Sequence, residues 1–166
     1  MIVGIKGRVE YKDLTKVHLE VNGLIYRVFT SINCSSNIKE DQEIKLHTTF
    51  IVREDSQSLY GFIDINEKKM FDTLIKISGV GPKVGIAVCS TFLPDTFAKI
   101  ISLKDTKLLT KVPGIGLKGA NKILLELSDF QIQASSEQNS SFNEATQALE
   151  ALGFKKRFNF KSPSKL

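Results

Sequence analysis

The chain has 166 residues, of which 42% are hydrophobic and 25% charged, with a formal net charge of +5. That content is enough for one large folded core or two to three small ones. No apolar run approaches the ~18 residues that a membrane span needs, and no secretory leader is present, so we expect a cytoplasmic protein without membrane contact. Cys34 and Cys89 lie far from any Cys-x-x-Cys or His pairing, which indicates a reducing compartment and argues against a zinc site.

The charge and the residue pattern both divide the chain. The net charge is −1 over residues 1–64, +4 over residues 65–130 and +2 over residues 131–166. The first segment has a strand pattern and the second a helical one, whereas the third opens with a polar linker. The basic surplus in the middle segment indicates a polyanionic partner.

Residues 1–64 are expected to form a small β-barrel. Asn22-Gly23 is a strong signal for a two-residue hairpin turn. About five strands with such turns in ~60 residues favour an oligonucleotide-binding (OB) barrel. The runs of β-branched and aromatic residues that predict strands are 2–5, 9–11, 17–21, 25–29, 44–52 and 59–62.

One turn of this barrel carries two adjacent carboxylates, Glu54 and Asp55, with Arg53 before them and Ser56 after them. A solvated turn is the ordinary interpretation, because Asp and Ser are common turn formers. The functional alternative is that the two carboxylates repel phosphates and so decide where a nucleic acid does not lie.

Residues 65–130 have the period of five short helices, the first of which has Asn66 as its expected N-cap, and contain a repeat. Two Gly-aliphatic-Gly turns lie 35 residues apart, Gly79-Val80-Gly81 and Gly114-Ile115-Gly116, and each opens a new helix. Glycine permits positive φ and close approach of another backbone. The unpaired N–H groups of a helix start, with their partial positive charge, suit a phosphate oxygen.

Lysines add full charges to these helix starts. Lys83 and Lys118 fall in the first turn of each helix, and Pro82 suits a first helical position. Two such hairpins related by a pseudo-two-fold axis can hold the two backbones across a minor groove without reading sequence. Two ordinary helix-turn-helix corners are the alternative interpretation.

Residues 131–141 are polar and predict a flexible linker. Residues 142–166 follow with the apolar spacing of one amphipathic helix, which ends at Gly153, and then a basic tail. One helix is too short to be stable alone. The sequence therefore predicts a short, incomplete C-terminal domain.

The Gly-x-Gly repeat is similar to a tandem helix-hairpin-helix domain, and the order of segments resembles the RuvA family, the Holliday-junction-binding subunits of bacterial RuvAB branch-migration complexes. The resemblance covers about residues 1–153. Its matching motifs are Met1-Ile2 with Gly7, Val21-Asn22-Gly23 with Tyr26, Val52-Arg53-Glu54-Asp55 with Leu59-Tyr60-Gly61-Phe62, Ser78-Gly79-Val80-Gly81-Pro82-Lys83, and Val112-Pro113-Gly114-Ile115-Gly116.

The resemblance implies a homotetramer, to which a second tetramer can add to form an octamer, with four-way junction DNA open on its concave face. The acidic turn would stand at the crossover as a pin formed by Glu54 and Asp55, with Arg53 adjacent. The residues expected to bind DNA in the hairpins are Gly79, Val80, Gly81, Lys83, Gly114, Ile115, Gly116, Lys118 and Lys122.

In this family ATP is hydrolysed by RuvB, a hexameric partner motor, and a RuvC resolvase is a further candidate partner. The present chain lacks a Gly-x-x-x-x-Gly-Lys-[Ser/Thr] phosphate loop, and no catalytic residue, cofactor or metal is expected. The residues expected to bind the motor are Phe142, Ala145, Leu149 and Leu152.

Three features depart from the family pattern. Leu117 occupies a position that is often basic, and Gly85 replaces the usual Ala, which predicts looser helix packing. At the C-terminus only the first helix of the family's third domain is recognisable. The alternative from another class is a helix-hairpin-helix repair enzyme, a nuclease or glycosylase that uses the hairpins for docking; Asp129 is the Asp within reach of the second hairpin.

Overall fold

The computed structural model describes residues 1–128, and Met1–Leu127 form one compact unit. The predicted linker, C-terminal helix and basic tail lie outside the described residues. Within residues 1–128, no single helix is long and apolar enough to cross a membrane, and one bent helix pair meets that test only jointly. The strands are β1 (Gly4–Lys12), β2 (Lys16–Val21), β3 (Leu24–Phe29), β4 (Glu43–Val52) and β5 (Gln57–Phe62).

The five strands close into a barrel in the order β1-β2-β3-β5-β4. Neighbouring strands are antiparallel except β3 and β5, which pair in parallel through Val28 with Leu59 and Phe29 with Tyr60. Alternate residues of β1 face inward and are buried, as the period of a half-buried strand requires. The predicted OB-like barrel is confirmed.

Two details of the barrel concern its first three strands. Asn22 and Gly23 have φ values of 51° and 84°, so the predicted turn with two positive φ values is confirmed. The separation of runs 2–5 and 9–11 into two strands is wrong. Residues 4–5 of the first run and the whole second run belong to β1, and the strand continues between them through Lys6, Gly7 and Arg8, where Gly7 takes the buried position. The pairing of β1 with β2 shifts register further along, between Val9 and Tyr11.

A short helix, α1 (Ile32–Ser36), lies between β3 and β4 and was not expected from the sequence. Its five residues are too few to show an apolar period. Ser31 caps it, since the Ser31 Oγ accepts a hydrogen bond of 2.9 Å from the Cys34 backbone N–H. Cys34 and Ile38 then pack into the barrel core.

The five helices expected after the barrel are all present. The N-cap of the first is Asp64, whose carboxylate accepts from the Asn66 N–H at 2.9 Å, so the sequence assignment of Asn66 as the cap is wrong. The helices are α2 (Ile65–Leu74), α3 (Pro82–Thr91), α4 (Pro94–Ser102), α5 (Thr106–Leu109) and α6, which begins at 117 and is described to 128.

Phe71 of α2 links the helices to the barrel. Its ring is fully buried and stacks on Tyr60 of β5, with ring centroids 5.1 Å apart. On its other side it contacts α3, because a Cβ at Gly85 would lie 3.0 Å from the Phe71 ring. The expectation that Gly85 loosens the packing is therefore wrong, since the absent methyl group lets α3 approach Phe71 closely.

Gly7 offers a test of the barrel's close packing. A Cβ at Gly7 would lie 2.3 Å from the Glu20 carbonyl oxygen and 2.7 Å from Val21 Cγ2. We expect Gly7→Ala to lower the free energy of unfolding by about 1–3 kcal/mol, because the neighbouring strand must move. Gly4→Ala is the control, since its nearest neighbouring atom would be 3.4 Å away. Equal urea midpoints for the two variants would contradict the expectation.

Candidate nucleic-acid interface

The first Gly-x-Gly turn joins α2 to α3 and depends on its glycines. Gly79 has φ of 90°, a conformation that a residue with a Cβ adopts at a cost of about 1–2 kcal/mol. Val80 is 8% exposed and donates its N–H to the Ile77 carbonyl at 2.9 Å. Gly81 is the N-cap of α3 and has no side chain to accept from the first N–H groups of the helix.

The second turn repeats the first. Gly114 has φ of 88°, and Ile115, 7% exposed, donates its N–H to the Val112 carbonyl at 3.1 Å. The next helix closes its first turn in the same way in both copies, with bonds of 2.9 Å from Gly85 N–H to Gly81 O and from Ala120 N–H to Gly116 O. The repeat is therefore one of backbone geometry.

The middle residue of each turn is an anchor. The side chains of Val80 and Ile115 belong to the helical core, together with Ile77 and Val112. Their N–H groups are already bonded within the turns. These two residues hold the turns in place, and the surface that each turn presents consists of its exposed or half-exposed glycines.

Three exposed lysines lie in the first two turns of α3 and α6. Lys83 is exposed in the first turn of α3, and Lys118 is exposed in the first turn of α6. Lys122 follows Lys118 by one helical turn and is exposed on the same side. Leu117, 65% exposed, occupies the first position of α6. The second hairpin thus carries two lysines and an apolar side chain.

The acidic turn connects β4 to β5 at the end of a projecting hairpin. Arg53, Glu54, Asp55 and Ser56 are all exposed. The turn is closed by a 2.8 Å hydrogen bond from the Arg53 N–H to the Ser56 carbonyl, and the Ser56 hydroxyl donates to Asp55 at 3.2 Å. None of the ion pairs among residues 1–128 involves Glu54 or Asp55, so both carboxylates are free to act on an external charge.

The structure brings the acidic turn beside the first hairpin. A groove of about 460 Å³ separates them, with Arg53 on one wall and Lys83 on the other. Ser56, Ser58 and Tyr60 also line it, and sequence reasoning did not single them out; the alternation of β5, which places every second residue on one face, was the available signal. The groove is lined by Ile51, Arg53, Ser56, Ser58, Tyr60, Gly81, Pro82, Lys83 and Val84.

Comparison with known proteins adds to this geometry. A sequence model described as the RuvA N terminal domain matches residues 1–61, and one described as a SAM-like helix-hairpin-helix tandem matches residues 71–129. A Holliday junction branch migration complex subunit RuvA from Nitratiruptor sp. is 58% identical over 156 residues, which cover 94% of this chain and 84% of that protein. The chain belongs to the RuvA family.

More distant RuvA proteins match over the same span. The subunit from Sulfurimonas denitrificans is 47% identical over 160 residues, which cover 94% of this chain and 85% of that protein. That from Helicobacter pylori is 42% identical, with 93% of this chain and 84% of its own length covered. The similarity to RuvA therefore includes both the barrel with its acidic turn and the two hairpins.

A seam of polar contacts joins the barrel to the helices on the side of α1. The Asn33 amide donates to the Cys89 carbonyl at 2.6 Å, and the Ile32 N–H donates to the Ser90 hydroxyl at 3.0 Å. Between them, Glu67 of α2 is 5% exposed and accepts a hydrogen bond from the Ser31 hydroxyl. No sequence pattern signals this seam, because its partners lie 36 to 58 residues apart.

Burial sets the protonation of the groups at the seam. Burial raises the pKa of Glu67 and the nearby Asp64 raises it further, whereas the Ser31 hydrogen bond opposes the change. Burial also raises the pKa of the Cys34 and Cys89 thiols, which keeps them protonated and unreactive. Among residues 1–128, no group of three His, Cys, Asp or Glu side chains could hold a metal ion.

Glu67 predicts a pH dependence of stability. Because its pKa is raised in the folded state, its stabilising contribution is complete below the ordinary Glu value of 4.5 and is lost as the pH rises through the folded value. We expect Glu67→Gln, which stays neutral, to match the parent near pH 4 and to become more stable than the parent towards pH 7. Urea unfolding at a series of pH values measures the difference.

Glu126→Gln makes the same substitution at an exposed position of α6 and serves as the control. It should leave the pH profile of the parent unchanged. A Glu67→Gln profile parallel to that of the parent across the whole range would show that Glu67 does not titrate differently in the folded state.

Proposed function

We propose that this chain binds four-way DNA junctions without reading their sequence, as the non-motor subunit of a RuvAB-type branch-migration complex in recombination and repair. The relatives carry the name Holliday junction branch migration complex subunit RuvA, which favours this function over the helix-hairpin-helix repair enzyme. The observation that carries the proposal is one groove lined both by Arg53 and Ser56, which flank the two carboxylates of the acidic turn, and by Lys83 of the first hairpin.

The hairpins supply the attraction. The start of α3 has no side-chain cap, so its first N–H groups are available to a phosphate oxygen, and Lys83 adds a full charge beside them. Gly116, Lys118 and Lys122 offer the same chemistry at α6. Contacts of this kind end at phosphates and bind all sequences alike. Val80 and Ile115 contribute by anchoring the turns.

The acidic turn supplies the repulsion. In a homotetramer four copies of Glu54 and Asp55 would bring eight carboxylates to the centre, where the strands of a junction cross. Like charges within a Debye length of about 8 Å repel strongly enough to matter at physiological salt. The open, square form of the junction leaves its centre free for these carboxylates. A duplex running straight across the centre would place phosphates against them.

The remaining partners follow from the family. RuvB would hydrolyse ATP and move the junction, and Phe142, Ala145, Leu149 and Leu152 would dock on it; these four residues lie outside the described part of the chain. A second tetramer and a RuvC resolvase are further proposed partners, and the cytoplasm is the proposed location. We retain the division into a barrel (1–64), a hairpin domain (65–130), a linker (131–141) and a motor-binding segment (142–166).

The attraction is tested by replacing Lys83 and Lys118 with Ala. We expect the parent chain to prefer a four-way junction to linear duplex and single strand in a gel-shift competition at moderate salt. The double variant should bind every DNA more weakly and have a shallower salt dependence, with the slope reduced by about 1 for each lysine–phosphate pair that the substitutions remove.

Lys6→Ala is a matched control, because Lys6 is an exposed barrel lysine paired with Glu43 at 3.7 Å. Its salt slope should equal that of the parent. An unchanged slope in the Lys83→Ala, Lys118→Ala variant would remove the phosphate role of the hairpins. If linear duplex competes as well as the junction against the parent chain, the proposed function is wrong.

The repulsion is tested by Glu54→Gln with Asp55→Gln. Both side chains are exposed, so the fold should be unaffected. We expect junction binding to be as tight as in the parent or tighter, linear duplex to bind more tightly, and RuvB-driven branch migration to change in rate. A general loss of DNA binding would instead assign the turn a structural role.

A further inference from the structure

The hairpin that carries the acidic turn has two different faces. Along β4, Phe50 packs against the barrel core, whereas Ile51 packs against the helical core. On β5, Leu59 is part of the barrel core and Tyr60 packs against the helices. This alternation follows from the two-residue period of a strand. One face of the hairpin therefore closes the barrel, and the other rests on the helices that form the first Gly-x-Gly turn.

Thr49 and Tyr60 are direct cross-strand partners on the helix-facing side. The Thr49 hydroxyl donates to Asp72 of α2, and Tyr60 stacks on Phe71, the residue that precedes Asp72. The second oxygen of Asp72 accepts from the Lys68 ammonium group at 2.5 Å. We refer to Thr49, Tyr60, Lys68, Phe71 and Asp72 together as the brace.

The ion pair and the hydrogen bond of the brace are partly removed from water, which strengthens both. The side chains of Lys68 and Asp72 are 20% and 28% exposed. The ion pairs of Lys6 and Arg8 on the barrel are more open to water, since each has at least one side chain that is 48% or more exposed. A hydrogen bond to a carboxylate that is partly removed from water is stronger than one at the surface. Asp72 is oriented by Lys68 and so presents a fixed acceptor to Thr49.

The acidic turn extends well past the brace. Glu54 follows Thr49 by five residues, which corresponds to about 15 Å along an extended strand. Over that distance Val52, Arg53, Glu54, Asp55, Ser56 and Gln57 are all exposed. A small rotation of the hairpin at the brace therefore shifts the carboxylates, and their distance from a phosphate decides how strongly they repel it within the Debye length of about 8 Å.

We propose that Thr49 is a positioning residue for junction recognition. Its hydrogen bond to Asp72 holds the acidic turn at a fixed separation from the first hairpin, so that the carboxylates exclude a continuous duplex from the centre while the hairpins grip the arms. This inference rests on the proposed function and deepens it. It assigns selectivity for the open junction to a neutral residue that lies away from the DNA-facing turns.

Thr49→Val removes the hydroxyl and keeps the shape of the side chain. We expect this variant to bind the junction as tightly as the parent and linear duplex more tightly, so that the preference for the junction falls by about tenfold, the lower end of what one charge-assisted hydrogen bond can supply. Thr49→Ser keeps a hydroxyl and should restore the preference. Tyr60→Leu loosens the other half of the brace and should reproduce the loss.

Thr48→Val is the matched control. Thr48 is the neighbouring threonine on β4, and its hydroxyl donates to the Ile2 carbonyl at 2.8 Å within the barrel. It should lower stability at least as much as Thr49→Val, because Thr48 is the more buried, and leave the junction preference intact. If both variants lose the preference equally, the effect is one of stability and the positioning role is refuted.

The dependence on the acidic turn provides a second test. In the Glu54→Gln, Asp55→Gln background, Thr49→Val should cause no further change in junction preference, because the charges that it positions are gone. An equal loss in both backgrounds would overturn the proposal. If the parent chain shows no junction preference, the proposed function fails. The positioning role of Thr49 is then tested by a distance measurement that uses no DNA.

For this measurement, spin labels are attached to Ser56→Cys and Lys83→Cys, which line the groove on the acidic turn and on the first hairpin. The native Cys34 and Cys89 are buried and should not take up the label. The distribution of distances between the labels should broaden on Thr49→Val and stay narrow on Thr48→Val. Equal widths in the two variants would show that Thr49 does not position the turn.

Discussion

The separation between the acidic turn and the first Gly-x-Gly turn is the constraint on which the rest of the structure depends. In the proposed function one element repels phosphates and the other attracts them, and residues of both line a single groove, Arg53 and Ser56 from the acidic turn and Lys83 from the first hairpin. A repelling and an attracting element can discriminate between DNA shapes only if the distance between them is fixed. The barrel and the helices therefore have to behave as one body, and their contacts on two sides, Glu67 with Ser31 and Thr49 with Asp72, accomplish that.

The two sides of this attachment use different chemistry. On the side of α1, the buried Glu67 carboxyl and backbone groups form hydrogen bonds between the barrel and the helices. Burial raises the pKa of Glu67, which favours its neutral form. On the side of the acidic turn, Asp72 is partly exposed and paired with Lys68. The side of α1 thus avoids an unpaired buried charge, whereas the side of the acidic turn uses a paired carboxylate to orient a hydroxyl.

Features governed by local backbone chemistry were predictable from the sequence. The positive φ values at Gly23, Gly79 and Gly114 fall at turns identified from the Asn-Gly pair and from the Gly-x-Gly repeat. The barrel followed from the strand runs and their turns, and the five helices from their apolar period. Features made by distant partners were not predictable. The cap at Asp64, the helix from Ile32 and the brace depend on which of several polar side chains meets a partner, and that is decided by tertiary packing. The functional roles of the hairpin and acidic-turn residues stay predictions.

The packing of Phe71 limits which substitutions the protein tolerates at the positions around it. The same ring stacks on Tyr60 of the barrel and fills the space that a Cβ at Gly85 would need. The equivalent position in the second copy of the repeat, 35 residues later, is Ala120, which is fully buried and carries the methyl group that Gly85 lacks. A larger residue at 85 therefore requires either that the Phe71 ring shifts by a few tenths of an ångström or that a smaller side chain replaces it. The two copies of the repeat therefore differ in the space that they leave at this position.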